Sequence, residues 1–236
     1  MIVGYQTITV APGTTTGLAV QFSSTDGGAI KIKNLVAGSN VKGGGAMAST
    51  VDQIWTFDGY SWTKYFYYSG RGVTKWLKTP VVNAGTDAET EDTIANGQSS
   101  FFVRSTSGTA GDTVTLSGSV VPLTEVRSIS VAPGSTTAMA YPWPEGFKIK
   151  NFNNFNANPN GGGAIASTVD QIWTFDGYNW TKYFYYSGRG VTKWLKTPVT
   201  NASTDVETED EIAAGQAFFF IRSTSGAAGD AISFTR

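Results

Sequence analysis

The sequence predicts an all-β protein of two tandem homologous modules, each a β-sandwich or a partly open β-barrel. Three observations predict it. Residues 52–81, "DQIWTFDGYSWTKYFYYSGRGVTKWLKTPV", return at 170–199 with a single change, Ser61 becoming Asn179. Short alternating runs of apolar and polar residues, broken at Pro-Gly and Asp-Gly, recur through both copies, as short strands joined by tight turns do. No window of helical periodicity exceeds about two turns, the best being "AETEDTIANG" at 88–97.

The elements follow in order. "YQTITVAP" (5–12) alternates as a strand and stops at Pro12-Gly13. "QIWTF" and "YSWTKYFYY" flank Asp58-Gly59, a strong short-range hairpin signal. "VTKWL" (73–77), "SFFVRSTS" (100–107) and "DTVTLSGSV" (112–120) read as further strands. The duplication reaches beyond the central block. "TVAPGTTTGLAV" (9–20) returns as "SVAPGSTTAMAY" 121 positions on, and "IKIKN" (30–34) as "FKIKN" 117 positions on. From "GGGA" (43–46, 161–164) through "FFVRSTSGTAGD" (101–112) and "FFIRSTSGAAGD" (219–230) the offset holds at 118. Insertions are therefore confined to 23–30 and 35–42 and their equivalents, where repeats differ in loop length. The modules run 1–121 and 122–236, joined near "VVPLTEV". Two copies mean tandem domains, since a solenoid needs at least three repeats to bury its faces.

Composition bounds the function. Charged residues are 15% of the 236, below the roughly 25% usual for soluble domains, and Thr, Ser, Asn and Gly take their place. That balance is common in proteins working outside cells. A net charge of −1 gives no electrostatic reason to expect nucleic acid or an anionic membrane as partner. There is no cysteine and no histidine, which removes disulfides, Cys/His zinc sites, Cys nucleophiles, the Ser-His-Asp triad and any imidazole base. No apolar run approaches the 18 or so residues a membrane helix needs, so no membrane insertion is expected. The N-terminus "MIVGYQTITV" lacks the basic and apolar regions of a signal peptide, so an exported form is expected to have lost its signal.

Val3-Gly4-Tyr5, the Ile54–Trp62 hairpin, the Gly97–Arg104 strand "GQSSFFVR" and the ending Thr115–Val120 together resemble a group of secreted bacterial β-domain repeats of unassigned function. The second copy keeps Ile172–Trp180 and Gly215–Arg222 but opens with "TEVRSISV" and ends on "ISFTR". The resemblance implies an extracellular or cell-surface β-module and no catalytic residues.

Three features are candidate sites. Nine aromatics fall within 55–76: before the turn Trp55 and Phe57 share a face opposite Ile54 and Thr56, and after it Trp62, Lys64, Phe66 and Tyr68 share one opposed by Thr63, Tyr65 and Tyr67. Two aromatic faces exceed what one core needs, so some rings are expected to stay exposed or meet another chain. Trp55, Tyr60, Trp62, Tyr65, Tyr67 and Trp76, with Trp173, Tyr178, Trp180, Tyr183, Tyr185 and Trp194, are thus candidates for a protein interface or a glycan site, beside their reading as ordinary core. The acidic stretches offer carboxylates to Ca²⁺ from Asp87, Glu89, Glu91 and Asp92 and from Asp205, Glu207, Glu209 and Asp210. Their spacing lacks the Gly and terminal Glu of an EF-hand, so a solvated loop or a short helix is the simpler reading, and otherwise no cofactor is expected. "GGGA" and "SGRG" precede neither Lys-Ser/Thr nor a helix and read as turns rather than phosphate loops. "NWT" (179–181) and "NAS" (201–203) fit the N-glycosylation pattern, which Ser61 and Gly85 break in the first copy.

The expected function is that of an extracellular structural protein, a homo-oligomer or polymer whose modules associate head-to-tail, with the strand "VGYQTITVAP" adding to a neighbour's sheet. The alternative is a bivalent carbohydrate-binding protein using the two Trp/Tyr-rich hairpins. Neither is an enzyme.

Overall fold

The structure is a computed structural model that describes residues 3–37, 39–45, 50–120, 122, 125–155, 157–162 and 168–234. It is all-β, as expected. The first half holds β1 (Val3–Thr9), β2 (Thr15–Ala19), β3 (Phe22–Ser23), β4 (Ile30–Lys31), β5 (Gln53–Phe57), β6 (Trp62–Gly70), β7 (Val73–Lys78), β8 (Thr93–Ile94), β9 (Ser99–Val103) and β10 (Thr113–Val120). They form a five-stranded sheet in the order β2-β9-β5-β6-β7, a three-stranded sheet β1-β10-β3 and the pair β4-β8. The second half holds β11 (Arg127–Ser130), β12 (Thr136–Ala140), β13 (Phe147–Lys148), β14 (Gln171–Phe175), β15 (Trp180–Gly188), β16 (Val191–Lys196), β17 (Glu211–Ile212), β18 (Ala217–Ile221) and β19 (Ala231–Phe234). Its five-stranded sheet runs β12-β18-β14-β15-β16, beside the pairs β11-β19 and β13-β17. The junction expected at "VVPLTEV" lies partly outside the described residues, as do parts of both "GGGA" stretches.

The hairpins form where Asp-Gly signals them. Phe57 pairs with Trp62, leaving a four-residue turn in which Asp58 Oδ1 accepts the Tyr60 and Ser61 N–H groups at 2.8 Å each. Asp176 holds Tyr178 and Asn179 in the same way. "SGRG" is a second, two-residue turn, with Arg71 at φ 53° and Gly72 at φ 78°, the left-handed pair that matches strand twist.

Each core fills the space between the two sheets, in the manner of a sandwich. Leu18, Ile54, Tyr65, Trp76 and Phe102 from the large sheet meet Phe22, Val114 and Leu116 from the small one. A single helical turn, α1 (Ile32–Leu35), closes the layer with Ile32 and Leu35. In the second half Met139, Ile172, Tyr183, Trp194 and Phe220 meet Ile232 and Phe234, and a 3-10 turn at Ile149–Phe155 adds Phe152 and Phe155.

Helical structure thus falls at "IKNL" and "IKNFNNF", while 88–97, read as a solvated loop or a short helix, is extended through β8 and then turns at Asn96-Gly97. The reason is the exposed edge of β7. Thr90 N–H donates to the Trp76 carbonyl at 2.9 Å, and Glu89 accepts the Trp76 N–H at 3.2 Å, so this segment lines the edge instead of coiling. The expected strand 100–107 also stops early, at Val103. There Arg104, 3% exposed, turns inward to bind the buried carboxylate of Asp52 and that of Asp112. Asp52 also accepts the Ser105 and Lys42 N–H groups at 2.7 Å each. Arg222, Asp170 and Asp230 repeat the arrangement. Burial pushes the Asp170 carboxyl up, against the opposing pull of two N–H groups and Arg222.

Candidate functional site

The inner face of the β5–β6 hairpin is core: Tyr65, Trp76, Tyr183, Tyr185 and Trp194 are all buried, and half-buried Tyr67 packs on Trp76 at 5.2 Å. Five of these rings are enclosed by the cores, in keeping with their reading as ordinary core, and Tyr67 is partly so. The strand register brings them there, because Ile54 pairs with Tyr65 and Tyr67 with Trp76 on the face that meets the small sheet.

The outer face is where the expectation of a second aromatic surface is met, with an unexpected partner. Trp55, Phe57 and Phe101 of the first half pack with Trp173, Phe175, Ala138, Phe219 and Ile221 of the second. Phe101 stacks on Phe219 at 5.5 Å. Trp62 meets Phe219 at 6.0 Å, and its equivalent Trp180 meets Phe101 at 6.5 Å. Each half therefore presents the same residues to the other, the reciprocity of a two-fold contact. The surplus rings meet the other half of their own chain, so this face is not left open for the head-to-tail contact between chains. Further along the same strands, Phe66, Tyr68 and Leu77 pack under Val81 and Ala84 in a small separate cluster.

Two details fit the halves closely. A Cβ on Gly17 of β2 would come within 2.8 Å of the Ala217 Cβ, so a side chain there would force the sheets apart. Gln21, 4% exposed, donates across the seam to the Tyr141 carbonyl at 3.0 Å and to that of Trp143, while Ala140 N–H donates to the Gly97 carbonyl at 2.7 Å. Lys64 and Lys182 cover the rim, their Nζ atoms 4.0 and 3.9 Å from the centroids of Trp55 and Trp173.

Of the twelve aromatic candidates, Tyr60 and Tyr178 are the most exposed, 84% and 77% at the hairpin tips, and Trp62 and Trp180 are 41% exposed. Two clefts lie beside the seam, and Tyr60 lines one of them. The first, roughly 550 Å³, lies between the Asp58–Ser61 turn with residues 93–99 on one side and β11 with residues 132–138 on the other. The second, roughly 490 Å³, lies between the Asp176 turn with residues 213–217 and β1 with residues 15–17.

The acidic candidates are spread over separate structural tasks. Asp87 accepts the Val82 and Asn83 N–H groups, and Asp205 those of Thr200 and Asn201. Glu89 and Glu207 hold the N–H groups of Trp76 and Trp194. Glu91 pairs with Lys31 and Lys33, and Glu209 with Lys148 and Lys150, which hold each carboxyl down to about 2. Asp92 bonds the Tyr65 hydroxyl and Lys78, and Asp210 the Tyr183 hydroxyl and Lys196. The Ca²⁺ reading needs these oxygens to converge. Among the described residues no group of three or more acidic side chains could hold a metal ion.

The candidate set omits the two residues at the centre of the seam. Phe101 and Phe219 carry a signal in the sequence: adjacent phenylalanines in a strand point to opposite faces, so Phe101 beside Phe102 places one ring outside the core. Comparison with family profiles, curated proteins and solved structures finds no match.

Proposed function

We propose that this protein is an extracellular or cell-surface structural component whose building block is the closed pair of halves, and that such blocks self-associate. The observation that carries the reading is the outer edge of β1, which has no strand partner among the described residues. The seam closes the repeated aromatic faces within the chain, so blocks join through a surface outside it. Low charge and the lack of histidine and cysteine are consistent with a structural rather than a chemical task.

The contact between blocks is assigned to β1. It pairs with β10 along one edge, and no second strand partner is found among the described residues. Its outward side carries Val3 and Tyr5, 66% and 78% exposed. An alternating strand of this kind can extend a neighbouring sheet.

Sedimentation velocity and negative-stain electron microscopy over a concentration series test the reading. Assemblies that grow with concentration and are lost in a Val3→Lys/Tyr5→Lys variant are expected. A single discrete species at every concentration would reject it. The alternative, a bivalent carbohydrate-binding protein built on the hairpin rings, has six of its twelve rings in the cores, and keeps Tyr60 and Tyr178 exposed with Trp62 and Trp180 41% exposed.

A further inference from the structure

We propose that the seam is keyed for unlike halves, and that the key is the pair Gln21 and Pro142, which meet on its local two-fold axis. The face of the first half then takes a second half, from its own chain or from a second copy, and not another first half. The proposal does not rest on self-association between blocks, since every atom concerned lies within one chain.

Gln21 follows Val20 as Pro142 follows Tyr141, at the offset of 121 that relates the copies here, so the two are equivalent residues. Both are buried. Gln21 Nε2 donates to the Tyr141 carbonyl at 3.0 Å and to the Trp143 carbonyl, which are the carbonyls on either side of Pro142. A side chain that bridges the neighbours of its own equivalent lies at the axis, as Phe101 and Phe219 do. Whatever stands at this position meets its counterpart when two halves pair.

The contact runs in one direction. No other donor to the Trp143 carbonyl is found among the described residues. Proline has no donor to return, and the Val20 carbonyl receives the Gly97 N–H of its own half at 2.9 Å. Two second halves would bring proline to proline and leave each Trp143 carbonyl without its donor, and an unsatisfied buried acceptor is costly. Two first halves would bring two buried carboxamides to one place. A single buried asparagine sets pairing in a coiled coil by the same logic.

The flank is keyed in the same sense. Gly17 lets Ala217 approach, and the equivalent of Gly17 in the second half is Ala138. Two second halves would therefore place a methyl group where a Cβ comes within 2.8 Å of the Ala217 Cβ.

Urea denaturation of the intact chain tests the key. Gln21→Met keeps the length of the side chain and removes its donor. It is expected to lower the folding constant about tenfold, the scale of one buried acceptor left without a partner. Pro142→Gln reproduces at the axis the meeting of two first halves. It is expected to cost about tenfold in the parent and clearly less in a Gln21→Ala chain, where the axis has been cleared. Gln21→Ser serves in place of Gln21→Ala if the alanine chain fails to fold. Parent-like stability of Gln21→Met would show that the residue only fills space. An equal cost of Pro142→Gln in both backgrounds would show that the two positions do not meet. Either result would overturn the proposal.

Discussion

Phe101 and Phe219 occupy the same position in the two copies, and they stack on each other at 5.5 Å with their planes 28° apart. A residue that touches its own equivalent sits on the local two-fold axis, so this pair marks the centre of the seam. The repeated Trp55, Phe57 and Trp62 make one contact with the equivalent face of the other half. A change in one hairpin is felt by both halves.

Phe101→Ala and Phe219→Ala are each expected to destabilise the chain by about 3–5 kcal/mol, as large-to-small changes at buried aromatic sites do. Because both rings border the same space, the double variant is expected to cost clearly less than the sum of the singles. Urea denaturation of the three variants measures it; strict additivity would mean the rings do not share a contact.

Arg104 is held by Asp52 and Asp112 with its side chain 3% exposed. Removing one partner of a buried pair strands the other, so Arg104→Met is expected to cost about 3–5 kcal/mol, and Arg222→Met about the same because Asp170 and Asp230 repeat the arrangement. Arg104→Lys keeps the charge but loses the fork that bridges two carboxylates, and falls short of rescue. Equal stability of Arg104→Lys and the parent would show that charge alone suffices.

Glu91 and Glu209 lie well below the usual glutamate value of 4.5, at about 2, through paired lysines. A carboxyl whose folded value is depressed contributes stability that is present above 4.5 and is lost as pH falls toward 2. Both groups are exposed, so solvent screens the pairs and the effect is small. Thermal melts of Glu91→Gln/Glu209→Gln and the parent should differ at pH 7 in low salt and converge near pH 2. A difference that persists at pH 2 would place the effect elsewhere.

Much of the fold was legible because it is local. Asp58-Gly59 and the alternation on either side fixed the hairpin, and Pro12-Gly13 ended β1. The stretch at 88–97 stayed open between loop and short helix because its acidic residues look like the first turn of a helix, whereas the backbone of Trp76 holds the segment extended. The helical turns at Ile32 and Ile149 are too short to carry a periodicity. As for the site, alternation showed that two aromatic faces exist but is silent on what covers the outer one, since core, partner chain and tandem copy impose the same pattern.

The central claim is that the two aromatic faces close on each other within one chain. The absence of cysteine gives a clean test. Gly17→Cys/Ala217→Cys places two thiols where the Cβ positions are 2.8 Å apart, a small outward shift from the roughly 3.5–4.5 Å that a disulfide spans. Mild oxidation of the dilute protein, read by thiol titration and non-reducing electrophoresis, is predicted to consume both thiols and leave a monomeric band. Thiols that stay free, or a ladder of cross-linked chains, would contradict it.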